Sequence, residues 1–188
     1  MLLHWMERQR GTKIIQIISL DLIFILIPVL YYYRKNKSIK KSFNELGIKK
    51  IEKKELLKKS CALIIGLMAI TFIIGITSSL LGANDLNKVN ETVVQIITVS
   101  PLLMLYYLVV RVFSEEILFR GLLVKKTGVF FSSLIFGLAH FMYGSVIEVI
   151  GAFFAGLFLA YFYQKTNNLL PNIIGHMAFN AIGLILVM

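Results

Sequence analysis

Apolar residues along this chain gather into blocks of helix-spanning length, separated by short polar stretches. The blocks occupy residues 14–33, 61–81, 92–124, 128–143, 146–163 and 169–188. A hydrocarbon core of about 30 Å takes about 20 helical residues to cross. The first two blocks and the last each fit one span. Those at 128–143 and 146–163 are shorter, which suits helices packed inside a bundle or facing a thinned bilayer. The block at 92–124 is too long for one straight span, and Pro101 and Gly121 are its expected breaks. The pattern predicts an all-α fold: a polytopic transmembrane helical bundle of about six spans, or seven to eight helices if 92–124 is broken. Linkers are expected at 83–91, 125–127, 143–145 and 165–168. Residues 1–91 read as an N-terminal two-helix region and 92–188 as a helical core.

Composition sharpens this picture. Of 188 residues, 57% are hydrophobic and 16% charged, against about half and a quarter in soluble domains. The net charge of +10 would suggest nucleic acid if it were spread over a surface. Instead, eleven of the twenty Lys and Arg residues lie between Arg34 and Lys59. A basic loop between apolar blocks is retained in the cytoplasm and meets anionic lipid there. No aromatic or groove-fitting element accompanies it, so no nucleic-acid partner is expected. With loop 34–59 cytoplasmic and partly a surface helix, both termini fall outside. Lys125, Lys126 and Lys165 then fall inside, in agreement with the same rule.

The run at 14–33 resembles a signal peptide but is long and lacks a small-x-small site before Arg34, so it reads as a retained helix. Cys61 stands alone, which excludes an intrachain disulfide, and is expected to be a small buried residue. Tyr31–Tyr33 beside Arg34 fit an interfacial aromatic belt, and His4 a solvated tail. Two rows of small residues, Gly151 with Ala155 and Ala152 with Gly156 and Ala160, suit close helix contacts in lipid.

Ionisable groups inside apolar segments are costly and point to function. Here they are Asp21, Glu115, Glu116, Arg120, His140, Glu148 and His176. At about 1.5 Å per residue, Glu115 lies roughly 15 Å above Lys125 and His140 about 20 Å from Lys126. His176 lies about 10 to 15 Å above the 167–168 turn on the same rise. A carboxylate and two imidazoles on three helices therefore share a depth. Local spacing adds detail. Glu116 and Arg120 are four apart and can form an ion pair on one helix face, while Glu115 is turned about 100° away. Phe136 can pack beside His140, and His176 and Asn180 share a face. An interhelical packing network, at about 0.6 kcal/mol per hydrogen bond, is the competing explanation, but packing does not require matched depth. Asp21 and Glu148 match no motif and read as structural, Glu148 through the dipole of a helix start. Arg111 either snorkels or joins Glu115.

Glu115-Glu116-x-x-x-Arg120, Phe136-x-x-x-His140 and His176-x-x-x-Asn180, in that order, resemble the three motifs of the CPBP intramembrane proteases. That family includes CAAX prenyl endopeptidases and the bacterial Abi or bacteriocin-immunity proteins. The resemblance spans about 92–183, with no departure at the motif positions, and leaves out the first two helices and the basic loop. It implies a peptide-bond hydrolase in which Glu115, as general base, and His140 activate water. His176 and Asn180 would donate to the oxyanion, with Glu116, Arg120 and Phe136 in support. Glu115, His140 and His176 could complete a zinc site with an open position, and the family is commonly called metalloprotease. No H-E-x-x-H is present, however, and Asn180 is a poor zinc ligand, so the metal-free reading is preferred.

The expected partners are membrane lipids and a membrane-associated peptide or protein: a prenylated peptide, a pheromone precursor or a bacteriocin-related peptide. Usage rich in Ile, Lys and Asn suggests a low-GC bacterium and a multi-pass place in its cell membrane. Two other functions remain open on the sequence. One is a non-catalytic immunity or scaffold protein that binds a peptide. The other is a small transporter subunit, which would need a polar path across the membrane rather than polar groups at one depth.

Overall fold

The computed structural model describes the backbone of residues 2–83 and 85–187; the side chains of residues 2–17, 95–97, 99, 101 and 187 lie outside the described set, His4 among them. Helices follow one another with no strand among the described residues. Helix α1 (Leu2–Asn36) runs well beyond the block at 14–33, and α2 (Ile39–Leu46) is the short helix foreseen in the basic loop. Then come α3 (Lys53–Leu80), α4 (Asn87–Val99) and α5 (Pro101–Tyr106). A π-helical turn, Tyr107–Arg111, leads into α6 (Val112–Glu115), and a second, Glu116–Leu123, leads into α7 (Val124–Ala139). A 3-10 turn, His140–Tyr143, precedes α8 (Val146–Thr166) and α9 (Leu170–Val187).

The long block at 92–124 breaks where one residue was expected and not where the other was. Ser100 is extended and caps Leu103, so a new helix opens at Pro101, where a missing N–H costs nothing. Gly121 does not break the chain. It sits inside the second π turn, where a Cβ would come within 3.0 Å of Leu46, so α2 lies directly over it. The break falls at Gly128 instead, whose φ of 81° and ψ of 174° bend α7, a conformation open to glycine alone at little cost. The linker expected at 83–91 is also shorter, because α4 starts at Asn87.

Two clusters tie the bundle together. Tyr32, Leu46, Ile117, Ala160, Tyr163 and Leu169 belong to one, joining α1, α2, the second π turn and the α8–α9 junction. Leu63, Leu67 and Leu159 form another between α3 and α8. Helix α2 is fixed at its C-terminal end, where Tyr163 donates to the Leu46 carbonyl at 3.0 Å and the Leu169 amide donates to that of Gly47 at 2.8 Å. Of the two small-residue rows on α8, the second is buried, at Ala152, Gly156 and Ala160. A Cβ on Gly156 would meet Phe136 at 3.0 Å. The bare backbone there lets α8 press on α7 and seat the Phe136 ring.

The polarity of the bundle is inverted. Asp21, Ser114, Glu115, Glu116, Arg120, Asn172 and His176 are buried, while Leu26, Ile65, Phe72, Phe131 and Leu138 are exposed. Cys61, expected inside, lies on the exposed side of α3, because Ser60, Leu63 and Leu67 define the buried stripe and Cys61 is off it. Two helices among the described residues, α3 and α8, are long and apolar enough to cross a membrane.

Candidate active site

The site grows from α6 and the π turn that follows it. Glu115 ends the short α-helical stretch and Glu116 opens the π turn, a helix irregularity frequent at functional sites. The two carboxylates face different neighbours, as the 100° rotation between successive residues demands. Glu116 is fully buried and meets Arg120 at 3.2 Å, the pair its spacing predicts. It also accepts a hydrogen bond from His176 Nδ1 at 2.9 Å, so one carboxylate joins the π turn to α9. Asn172, one turn before His176 on α9, is buried and donates to the Leu159 carbonyl at 2.9 Å. The sequence row Asn172-x-x-x-His176-x-x-x-Asn180 carried that signal at four-residue spacing, and only its last two members had been singled out.

Glu115 is also buried. It accepts from Arg111 Nε at 2.9 Å, which settles Arg111 as a partner of Glu115 rather than a snorkelling side chain. Arg111 reaches on to Asp21 of α1 at 3.0 Å.

Phe136 ties the aromatic part together. Its ring centroid lies 4.7 Å from that of His140 and 6.2 Å from that of His176. The Arg120 guanidinium stands 4.1 Å from the centroid of the same ring, a cation–π contact within the usual range. His140 lies just past the end of α7, in the 3-10 turn, and its Nδ1 is 2.8 Å from the Phe136 carbonyl. A carbonyl only accepts, so Nδ1 carries the proton and donates, and Nε2 of the neutral ring presents its lone pair. Tyr143, not singled out in the sequence, stacks on His140 at 5.9 Å and lies within the electrostatic reach of Glu115, Arg111 and Glu148. Glu148 lies in the first turn of α8. Asn180 sits one turn beyond His176 and is half-buried.

Two imidazoles and a guanidinium, from the α7 end, α9 and the π turn, thus lie around one phenyl ring, and Glu116 joins the guanidinium to His176. Residues 97–182 match a family described as type II CAAX prenyl endopeptidase, Rce1-like. Over this segment the chain is similar to the Rce1-like family. The Rce1-like segment begins within α4 and reaches into α9, so it contains all seven motif residues and leaves α1, α2 and α3 outside. The family implies a CAAX-type protease acting on a membrane-associated peptide, and with the two apolar helices it points to a membrane location. No curated protein and no solved structure matches the chain.

Among the described residues, no three His, Cys, Asp or Glu side chains gather as a metal cage would require. His176 already spends Nδ1 on Glu116, and Glu115 lies against Arg111. The expected trio Glu115, His140 and His176 is not among such groups.

Proposed function

We propose that the protein is a multi-pass intramembrane endopeptidase that hydrolyses a peptide bond of a membrane-associated peptide by activated water. The observation that carries this reading is the shared Phe136 ring, which has His140 on one motif helix and His176 on another as neighbours. In the reaction, Glu115 takes the proton of the attacking water. His140 accepts a hydrogen bond from the same water through Nε2, the nitrogen that its bond to the Phe136 carbonyl leaves with a lone pair. His176 and Asn180 donate to the oxyanion of the tetrahedral intermediate. For His176 this has a condition. Nδ1–H is directed at Glu116, so Nε2 donates only when the ring holds a second proton, with Glu116 as its counter-charge. Glu116, Arg120 and Phe136 hold these groups in place.

The topology proposed with it has about six spans, loop 34–59 in the cytoplasm and the site reached from that side. The inverted polarity supports it, because lipid rewards exposed Leu, Ile and Phe and leaves the charges to pair inside. No resident metal is invoked, since the sequence holds no H-E-x-x-H and Asn180 is a poor zinc ligand. The test is cleavage of internally quenched, membrane-anchored peptides, prenylated and not, by purified protein. Glu115→Gln keeps shape and hydrogen bonding but loses the base, so cleavage falls at least about a hundredfold. A chelator leaves the wild-type rate unchanged; loss on chelation that zinc restores overturns the metal-free part. Unchanged biological activity in well-folded Glu115→Gln protein favours the immunity or scaffold alternative.

A further inference from the structure

The motif residues all lie in the Rce1-like segment, yet the residue that organises the surroundings of Glu115 comes from outside it. Asp21, on α1, is 1% exposed. Its carboxylate accepts from Tyr106 at 2.8 Å, from Arg111 at 3.0 Å and from Ser114 at 3.0 Å. Arg111 in turn gives Nη1 to Asp21 and Nε to Glu115 Oε1. The guanidinium is planar and its N–H groups are fixed relative to one another, so holding one edge fixes where the other points. Phe24, also on α1, lies 5.8 Å from the same guanidinium.

We infer that Asp21 is a positioning residue, acting through Arg111 to hold the Glu115 carboxylate, so that α1 supplies part of the active-site framework. The inference rests on the reading of Glu115 as the base. The cost of burying an aspartate supports it, since a carboxylate taken into a helical bundle needs full hydrogen-bond compensation. Here it receives three donors, from α5, the first π turn and α6, the last of which carries Glu115. Packing α1 against the bundle does not call for that arrangement. Phe24 against Phe119 at 5.8 Å and Tyr32 within the main core cluster already bind the two.

Full-length protein in detergent provides the test, with the best-cleaved anchored peptide as probe and thermal unfolding measured in parallel. Asp21→Asn lowers kcat per folded molecule by about tenfold or more, because misplacing a catalytic group by about 1 Å costs up to about a hundredfold. KM stays within about twofold, and Asp21→Glu recovers most of the loss. In unfolding, the midpoint shifts of Asp21→Asn and Glu115→Gln are non-additive when Arg111 is present. They become additive in an Arg111→Met background. Unchanged kcat in folded Asp21→Asn protein, or coupling that survives removal of Arg111, overturns the relay. Activity in Glu115→Gln, or no cleavage by the wild type, removes Glu115 as base instead and leaves the unfolding cycle to judge the relay.

Discussion

Arg120 is 1% exposed and keeps its charge between the Glu116 carboxylate at 3.2 Å and the face of Phe136 at 4.1 Å. Removing one partner of such a pair leaves an unmatched charge in a low-dielectric interior, which costs about 3–5 kcal/mol. Glu116→Gln therefore lowers the unfolding midpoint sharply in a detergent melt. Replacing both residues with apolar ones of similar volume restores much of the loss. A melt in which Glu116→Gln alone is neutral contradicts the pairing. At this scale four-residue spacing made two contacts readable, while Arg111–Glu115, with the same spacing, stayed open beside a snorkelling Arg111. Glu116–Arg120 and Phe136–His140 follow from four-residue spacing. The contacts of Glu116 with His176 and of Asp21 with Arg111 depend on how separate helices are rotated against each other, and no local spacing encodes that. Nor does spacing reveal that Phe136 serves two imidazoles.

Elements end where backbone chemistry makes them end, and that accounts for the misplaced break. Gly121 lies where α2 presses closest, so glycine is needed there for space; Gly128 is needed for its positive φ. Both read alike in a sequence. The start of α8 depends on a partner far from it along the chain. Asp85 accepts from the Ser145 hydroxyl at 2.7 Å and from the amides of Val146 and Ile147, and Lys88 donates to the Gly144 carbonyl at 3.2 Å. The Ser145 hydrogen bond first, and then those amides and Lys88, hold the Asp85 carboxyl below its usual range. A lowered folded value means that its contribution is complete above the unfolded value of about 3.9 and is lost as pH falls through the folded one. Asp85→Asn should therefore melt earlier than wild type at pH 7, and the gap should close as the pH is taken below about 4. A gap that is constant over that range counts against the cap.

The molecule buries Asp21, Glu115, Glu116 and Arg120 while exposing much hydrocarbon, with α3 and α8 long enough to cross a bilayer. The all-helical fold and the three-motif core were legible because apolar blocks and four-residue spacings are local features. The contribution of α1 was not, since Asp21 had no motif to mark it and gains meaning only beside Arg111. The proposed reaction turns on a water held by Glu115 and His140 and delivered to a peptide carbonyl. Cleavage of an anchored peptide library in 18O-enriched water, read by mass spectrometry, tests this most directly. The account predicts two product peptides, with one solvent oxygen in the new C-terminal carboxylate. Uncut peptides that nonetheless bind the folded protein would contradict it.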